Sequence, residues 1–465
     1  MAVVTSYGAA QTVTGSCHLV KIGPIKILID CGMFQDDVGN EKNYRPFEFD
    51  PADIDYLILT HAHLDHIGRV PKLIKDGFNG KIISTKPTQD IASIMLRDSA
   101  KILKEEYKTV KKKARRRGDE ESVLEPLYTI EHVKDVFMKN WRLLEYFEKY
   151  KLGKKIKITL ANAGHIMGSS IVIIDYVEKA KNKRIVFSGD IGSRHSLIIN
   201  PIDKIDETNA LFIESTYGDR LHRPINESIK EFKKAIISTL KRNGNVIIPT
   251  FALERAQEIL WLLHKMFEEN ELPRCRVFLD SPLAIRATRL YNKYPIHLSE
   301  EVGLEALRDK DPFSFETLEI TKTTEESRQI NKIKERAIII AGSGMCNGGR
   351  VIHHLKHRLW NKLNTVIFVG YQVPGTLGRR IIDGEQYVKI YGDNVIVKAQ
   401  IETINGFSAH ADQNDLIEWI DHFKNLKKLH LIHGETKKME IFKNVIKKRL
   451  KHDAKIVEYA TPVKV

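Results

Sequence analysis

Thr60-His61-Ala62-His63-Leu64-Asp65-His66 decides how the rest of this chain is read. The stretch follows an apolar run, Tyr56-Leu57-Ile58-Leu59, that reads as a buried strand. The polar cluster therefore sits on the loop leaving a strand end. In extended backbone, residues two apart point the same way, so His61 and His63 can grip one ion. Asp65 and His66 follow at what reads as the start of a helix and can hold a second. Imidazole combined with carboxylate suits zinc better than calcium or magnesium.

A site for two ions needs more ligands, and they recur at long range in one arrangement: strand, polar residue, turn. His165 lies in Asn162-Ala163-Gly164-His165-Ile166-Met167-Gly168. Asp190 ends Ile185-Val186-Phe187-Ser188-Gly189, His433 ends Leu429-His430-Leu431-Ile432, and Asp30 ends Ile25-Lys26-Ile27-Leu28-Ile29. Glycine beside such a residue lets the backbone turn closely around a site.

In this order, Asp30, His61-x-His63-x-Asp65-His66, His165 and Asp190 resemble the four motifs of the metallo-β-lactamase fold. Glu214 in Ile213-Glu214-Ser215-Thr216, His410 in Phe407-Ser408-Ala409-His410, and His433 resemble motifs A, B and C of its β-CASP branch, which contains RNA-processing nucleases. The resemblance runs from Ser6 to about Pro462. It implies an α/β fold: an αββα sandwich with an inserted β-CASP domain built on a parallel sheet. It also implies two zinc ions per chain. His61, His63 and His165 bind the first, Asp65, His66 and His433 the second, and Asp190 bridges both, so Asp65 and Asp190 count among the catalytic residues. Asp30 fixes a ligand histidine from behind. His410, oriented by Glu214, is the implied general acid.

The implied reaction is hydrolysis of single-stranded RNA to 5′-phosphate and 3′-hydroxyl ends. A histidine in motif C leans towards RNA, and a DNA nuclease of the same branch is the nearest rival. A small-molecule (thio)ester hydrolase shares the His61 to His66 pattern but needs neither the insertion nor His410. Short members of the kind this chain resembles can form homodimers, and no residue pattern here shows one.

Composition bounds these readings. The chain has 465 residues, 42% hydrophobic and 29% charged, with no apolar run near a membrane-spanning length. Its start reads without a secretory signal, and Cys17, Cys31, Cys275 and Cys346 form no Cys-x-x-Cys pair. A reduced, cytoplasmic protein without a membrane partner is expected. The net charge of +14 fits a polyanionic partner. Its densest segment, Lys111-Lys112-Lys113-Ala114-Arg115-Arg116-Arg117, reads as a solvated helix end in preference to a nucleic-acid contact.

Strands are expected at Val3 to Ser6, His18 to Ile22, Ile156 to Leu160, Ile171 to Tyr176 and Arg184 to Ser188. Helices are expected over Thr88 to Arg117 and Thr129 to Lys149. From residue 216 strands and helices alternate, which argues for a parallel sheet. The expected division is 1–215 for the first part of the lactamase domain, 216–405 for the β-CASP insertion and 406–465 for the return. Within the insertion, Gly342-Ser343-Gly344-Met345-Cys346-Asn347-Gly348-Gly349-Arg350 follows a strand and opens a helix. Backbone N–H groups at such a loop favour an anion, so Ser343, Gly344 and Arg350 are expected to bind RNA phosphate.

Overall fold

Where both faces of a strand are covered, its side chains read as an unbroken apolar run. This chain has several such runs, and the computed structural model, which describes residues 1–35, 40–308 and 310–465, places them in two compact units. The first unit comprises Met1–Arg194, Pro201–Leu221 and His410–Val465; the second comprises His195–Asn200 and His222–Ala409. The assignment of His195–Asn200 to the second unit has no signal in the sequence pattern.

Among its described residues, the first unit holds two seven-stranded sheets. One runs in the order Val463–Lys464, Ala2–Ser6, His18–Ile22, Ile25–Ile29, Tyr56–Ile58, Lys81–Ser84, Trp141–Leu143. The other runs Ala454–Ile456, Lys428–Leu431, Ala210–Ile213, Lys181–Phe187, Ser170–Glu178, Ile156–Asn162, Lys149–Leu152. Alternate residues of the two sheets meet face to face: Val4, Ile27 and Ile58 share a core with Ile158, Val172 and Phe187. The opposite face of the second sheet, through Ile171, Val186 and Leu211, packs on Leu416, Ile420, Met439 and Phe442 of helices Gln413–Asp421 and Thr436–Leu450. Helix Ile130–Met138 packs on helices Val70–Lys75 and Lys86–Arg115. The architecture is an αββα sandwich.

Helix Lys86–Arg115 starts where Thr85 accepts from the Thr88 N–H and Pro87 sits in the first turn. Its buried stripe is Ile91, Ala92, Leu96 and Ala100, and its basic end is exposed apart from Ala114. The expected helix over Thr129 to Lys149 is corrected. It stops at Met138, and Trp141–Leu143 and Lys149–Leu152 are edge strands. Trp141 pairs with Ile82, and Tyr150 with Ile158, so sheet pairing overrides the local helical pattern.

The second unit is a parallel α/β layer. Its six-stranded sheet runs Leu318–Ile320, Arg276–Asp280, Ala337–Ala341, Val246–Pro249, Thr365–Phe368, Gln400–Thr403 among the described residues, with every pairing parallel. Ala337–Ala341 is buried throughout.

Asp280, at the end of its strand, anchors this unit. Its carboxylate accepts from Thr321 Oγ1 at 2.6 Å, Ser327 Oγ at 2.6 Å, Arg350 Nη1 at 2.7 Å and His354 Nε2 at 2.6 Å. Burial alone would raise its pKa. The bonds from His354, Ser327 and Thr321 outweigh burial and hold the carboxyl well below the usual carboxylate range. A pKa lower in the folded than in the unfolded state stabilises in full above the unfolded value, and the contribution is lost as pH falls from there through the folded value. Asp280→Asn should therefore cost about 3–5 kcal/mol at neutral pH, because it strands buried donors and a cation. Urea unfolding of both proteins checks this, and the gap between them should shrink below about pH 4.

Candidate metal centre

Three neighbouring parallel strands must release their C-terminal ends at the same edge of a sheet. Lys181–Phe187, Ala210–Ile213 and Lys428–Leu431 are such a set, and they deliver Asp190, Glu214 and His433 together. In the facing sheet, parallel Ile25–Ile29 and Tyr56–Ile58 deliver Asp30 and the His61 to His66 loop. The short helix Leu64–Ile67 then carries Asp65 and His66. His165 lies between strands Ile156–Asn162 and Ser170–Glu178, and its backbone N–H donates to Ser169 Oγ at 3.0 Å. Gly32 permits the close approach of these segments, since a Cβ there would lie 1.5 Å from the Asp65 carbonyl oxygen. Asp30 and His433 both adopt left-handed backbone, with φ of 60° and 51°.

Two groups of donor atoms result. In the first, His63 Nδ1 lies 3.1 Å from His61 Nε2 and 3.2 Å from His165 Nε2. Asp190 Oδ2 lies 3.5 Å and 3.6 Å from the same two Nε2 atoms. In the second, His66 Nε2 lies 3.3 Å from His433 Nε2 and 3.3 Å from Asp190 Oδ1. Asp65 Oδ2 lies 3.6 Å from His433 Nε2. The two oxygens of Asp190 thus face the two groups, and Oδ1 is buried without a hydrogen bond. Donor atoms held by bonds of about 2.0–2.1 Å at tetrahedral angles stand about 3.3–3.4 Å apart, close to these separations.

Hydrogen bonds behind the rings show which nitrogens carry lone pairs. His66 Nδ1–H donates to Asp30 Oδ2 at 2.7 Å, and Nε2 faces inwards; burial lowers the His66 pKa, but Asp190 and Asp30 raise it well above the usual histidine range, so a cation there takes the place of a second ring proton. Asp30 is held by the Thr60 N–H at 2.8 Å, Thr60 Oγ1 at 2.9 Å and Ser16 Oγ at 3.2 Å. The Thr60 hydroxyl spends its proton on Asp30 and therefore accepts from His61 Nδ1 at 3.1 Å. Thr216 Oγ1 donates to the His433 carbonyl at 3.3 Å and accepts from His433 Nδ1 at 3.2 Å. Burial pushes His61 far down and His63 down to about 4, so both are neutral at pH 7, as a ligand must be. Burial opposes ionisation of Asp65, but the neighbouring His433 and His66 lower it to about 2. The residues present therefore fit a pair of metal ions.

Beside them, Glu214 is fully buried and accepts from the Ile191 N–H at 2.6 Å and His410 Nδ1 at 3.2 Å. The His410 side chain is 23% exposed, and its ring lies 4.5 Å from that of His165. Burial lowers the His410 pKa, yet the charge and hydrogen bond of Glu214 more than offset this and raise it to about 9. The backbone is pinned here as well, since the Ala411 N–H donates to the Ile191 carbonyl at 2.8 Å.

All nine residues expected at this edge, together with Asp30, come together in the first unit. Thr60, Thr216 and Ser16 went unnoticed in the sequence because hydroxyls beside ligands carry no distinctive spacing. His18 extends the chain of bonds, 2.8 Å from Ser6 Oγ and 3.4 Å from Ser16 Oγ.

Ser343, Gly344 and Arg350 belong to the second unit. Ser343 Oγ donates to the Gly348 carbonyl at 3.3 Å, and the Val351 N–H donates to the Gly342 carbonyl at 2.9 Å. Arg350 spends Nη1 on Asp280 and the Thr321 carbonyl, and Nη2 on the Lys322 carbonyl. Its first task is to hold the loop. His353 bonds Tyr391 at 3.2 Å and His354 bonds Asp280, so that helix carries no metal cluster with His357 among the described residues.

Comparison with known proteins agrees with this geometry. Residues 11–133 match the metallo-beta-lactamase superfamily, 256–381 the Beta-Casp domain, and 394–457 the Zn-dependent metallo-hydrolase RNA specificity domain. A ribonuclease of Thermus thermophilus is 39% identical over 94% of both chains. An RNase J-like protein of Methanocaldococcus jannaschii is 33% identical over 97% of both. Transcription termination factor FttA of the same organism is 32% identical over 96% of this chain and 69% of its own length. A solved protein of unknown function from Enterococcus faecalis shares the fold, with a TM-score of 0.57 at 14% identity over the whole of both chains. The chain belongs to the β-CASP branch of the metallo-β-lactamase superfamily, and it is a metal-dependent hydrolase.

Proposed function

We propose that this protein is a zinc-dependent ribonuclease that cuts single-stranded RNA and leaves 5′-phosphate and 3′-hydroxyl ends. The observation that carries the reading is Asp190, whose two oxygens face two separate histidine groups, with the His410–Glu214 pair alongside. The kinship with named ribonucleases supports RNA as the polymer.

In this reading His61, His63, His165 and Asp190 hold one zinc ion, and Asp65, His66, His433 and Asp190 the other. Bound there, the pair supplies a water nucleophile at neutral pH and neutralises charge on the phosphoryl oxygens. Asp30, Thr60 and Thr216 keep the ligand rings in one tautomer and one orientation. His410 gives its Nε2 proton to the departing 3′ oxygen, while Glu214 holds Nδ1–H. Glu214 is tied to the Ile191 backbone, so the acid cannot swing away from the ligand edge.

In the second unit, the loop of Ser343 and Gly344 binds backbone phosphate, with Arg350 both bracing the loop and adding its remaining N–H groups. The free, buried state of all four cysteines supports a reducing cytoplasmic setting. No helix among the described residues is long and apolar enough to cross a membrane.

His410→Ala should keep its zinc and lose about 10²–10⁴-fold in cleavage, because a proton donor is not a ligand. His63→Ala should lose both. Elemental analysis beside single-turnover kinetics separates the two, and metal loss from His410→Ala would defeat the assigned role. End-labelled RNA and DNA of one sequence test the substrate: RNA should be cut faster and yield 5′-phosphates. Equal cleavage of both polymers would overturn the RNA reading.

A further inference from the structure

A second set of donor atoms lies within the second unit, on a buried histidine, a half-buried glutamate and an exposed one. His264 and Glu268 stand four residues apart on helix Arg255–Glu268 and so share a face. Glu305 reaches them from helix Glu300–Leu307. His264 Nε2 lies 3.4 Å from Glu268 Oε1 and 3.5 Å from Glu305 Oε2. The His264 side chain is only 9% exposed. Neither its Nε2 nor Glu305 Oε2 makes a hydrogen bond, although both atoms are shut off from solvent.

The other ring nitrogen decides what Nε2 can be. His264 Nδ1–H donates to the Ser314 carbonyl at 2.8 Å. A neutral imidazole with its proton there turns a lone pair on Nε2 towards two carboxylate oxygens. That arrangement is repulsive unless a proton or a cation lies between. A proton would draw the atoms into charge-assisted bonds of about 2.7–2.9 Å. The observed separations are longer. They match the 3.5 Å and 3.6 Å between His61, His165 and Asp190, and the edge of about 3.3–3.4 Å expected for a tetrahedral ion. A backbone carbonyl behind the ring is also how metal-bound histidines are commonly oriented.

The surroundings fit. Lys265 Nζ approaches the outer oxygens, Glu268 Oε2 at 3.3 Å and Glu305 Oε1 at 3.5 Å, as well as Glu301 Oε1 at 3.4 Å. It offsets part of the negative charge and leaves the inner oxygens available. The Trp261 ring stacks on His264 with centroids 5.8 Å apart and planes at 12°, walling one side.

We propose that His264, Glu268 and Glu305 form a structural site for a divalent transition-metal cation. Zinc best matches one imidazole and two carboxylates. The ion clamps helix Arg255–Glu268 to helix Glu300–Leu307, and it is independent of the ions held by Asp190.

The test counts metal by mass spectrometry on chelator-stripped protein reloaded with zinc and desalted, for the unmodified chain, Glu305→Gln and His264→Gln. Each variant should hold one equivalent less than the unmodified chain. RNA cleavage by Glu305→Gln should stay within about 2-fold, since the site touches no reacting group. Matching circular dichroism identifies folded variants, and Glu305→Gln decides alone if His264→Gln misfolds. Equal counts in the unmodified chain and a folded variant would mean a protonated His264 between two glutamates, and would overturn the proposal. The readout is a difference between proteins, so it stands even if the centre around Asp190 proves empty.

Discussion

A carboxylate 2% exposed to solvent, with imidazoles on both sides, is an unstable thing to build from protein alone. Asp190 Oδ1 finds no hydrogen bond, and ring nitrogens crowd beside it, 3.1 Å apart in one group and 3.3 Å in the other. Isolated buried charges cost several kcal/mol each even after relaxation. The fold tolerates the arrangement because everything behind it is rigid: the rings are fixed by Asp30, Thr60 and Thr216, which rest on sheet backbone. Cations between these donors relieve the frustration, and binding them is then also a contribution to folding.

Parallel strands make that concentration affordable in chain length. Three neighbouring strands of one sheet and two of the other deliver polar residues beyond their C-terminal ends, four of them on the single loop after Tyr56–Ile58, and register brings the five ends together. Asp190 and His433 are joined by a stretch that includes most of another unit, but they leave strands separated by only one neighbour. That neighbour ends in Glu214, which is why the carboxylate behind His410 lies beside the clustered histidines.

Much of this was legible before any coordinates. The spacing in His61 to His66 is set by the change from extended to helical backbone, and a local rule suffices to read it. The repeated strand, polar residue and turn at Asp30, Asp190 and His433 was legible for the same reason. Other features depend on partners far away in sequence. Trp141–Leu143 looked helical until Lys81–Ser84 lay next to it. Arg350 looked like a free phosphate binder, since nothing nearby announces Asp280 seventy residues earlier. Thr60 and Thr216 are ordinary threonines until the tautomer of a ring depends on them. His264 and Glu268 carry helical spacing, but their third partner comes from another helix, and no single window of sequence contains all three.

The left-handed backbone at Asp30 and His433 also limits how this centre can change over evolutionary time. Most residues lose about 1–2 kcal/mol in that conformation, and β-branched ones fit it worst, whereas Asp, Asn, His and Gly enter it readily. A duplicated copy released from selection for chemistry would still be under selection to fold. Its path of least resistance at these positions runs through asparagine or glycine, which keep the turn and discard the imidazole or the carboxylate. Inactive descendants of such a chain should therefore carry a recognisable scar: a silent site whose backbone still bends around ions it no longer holds.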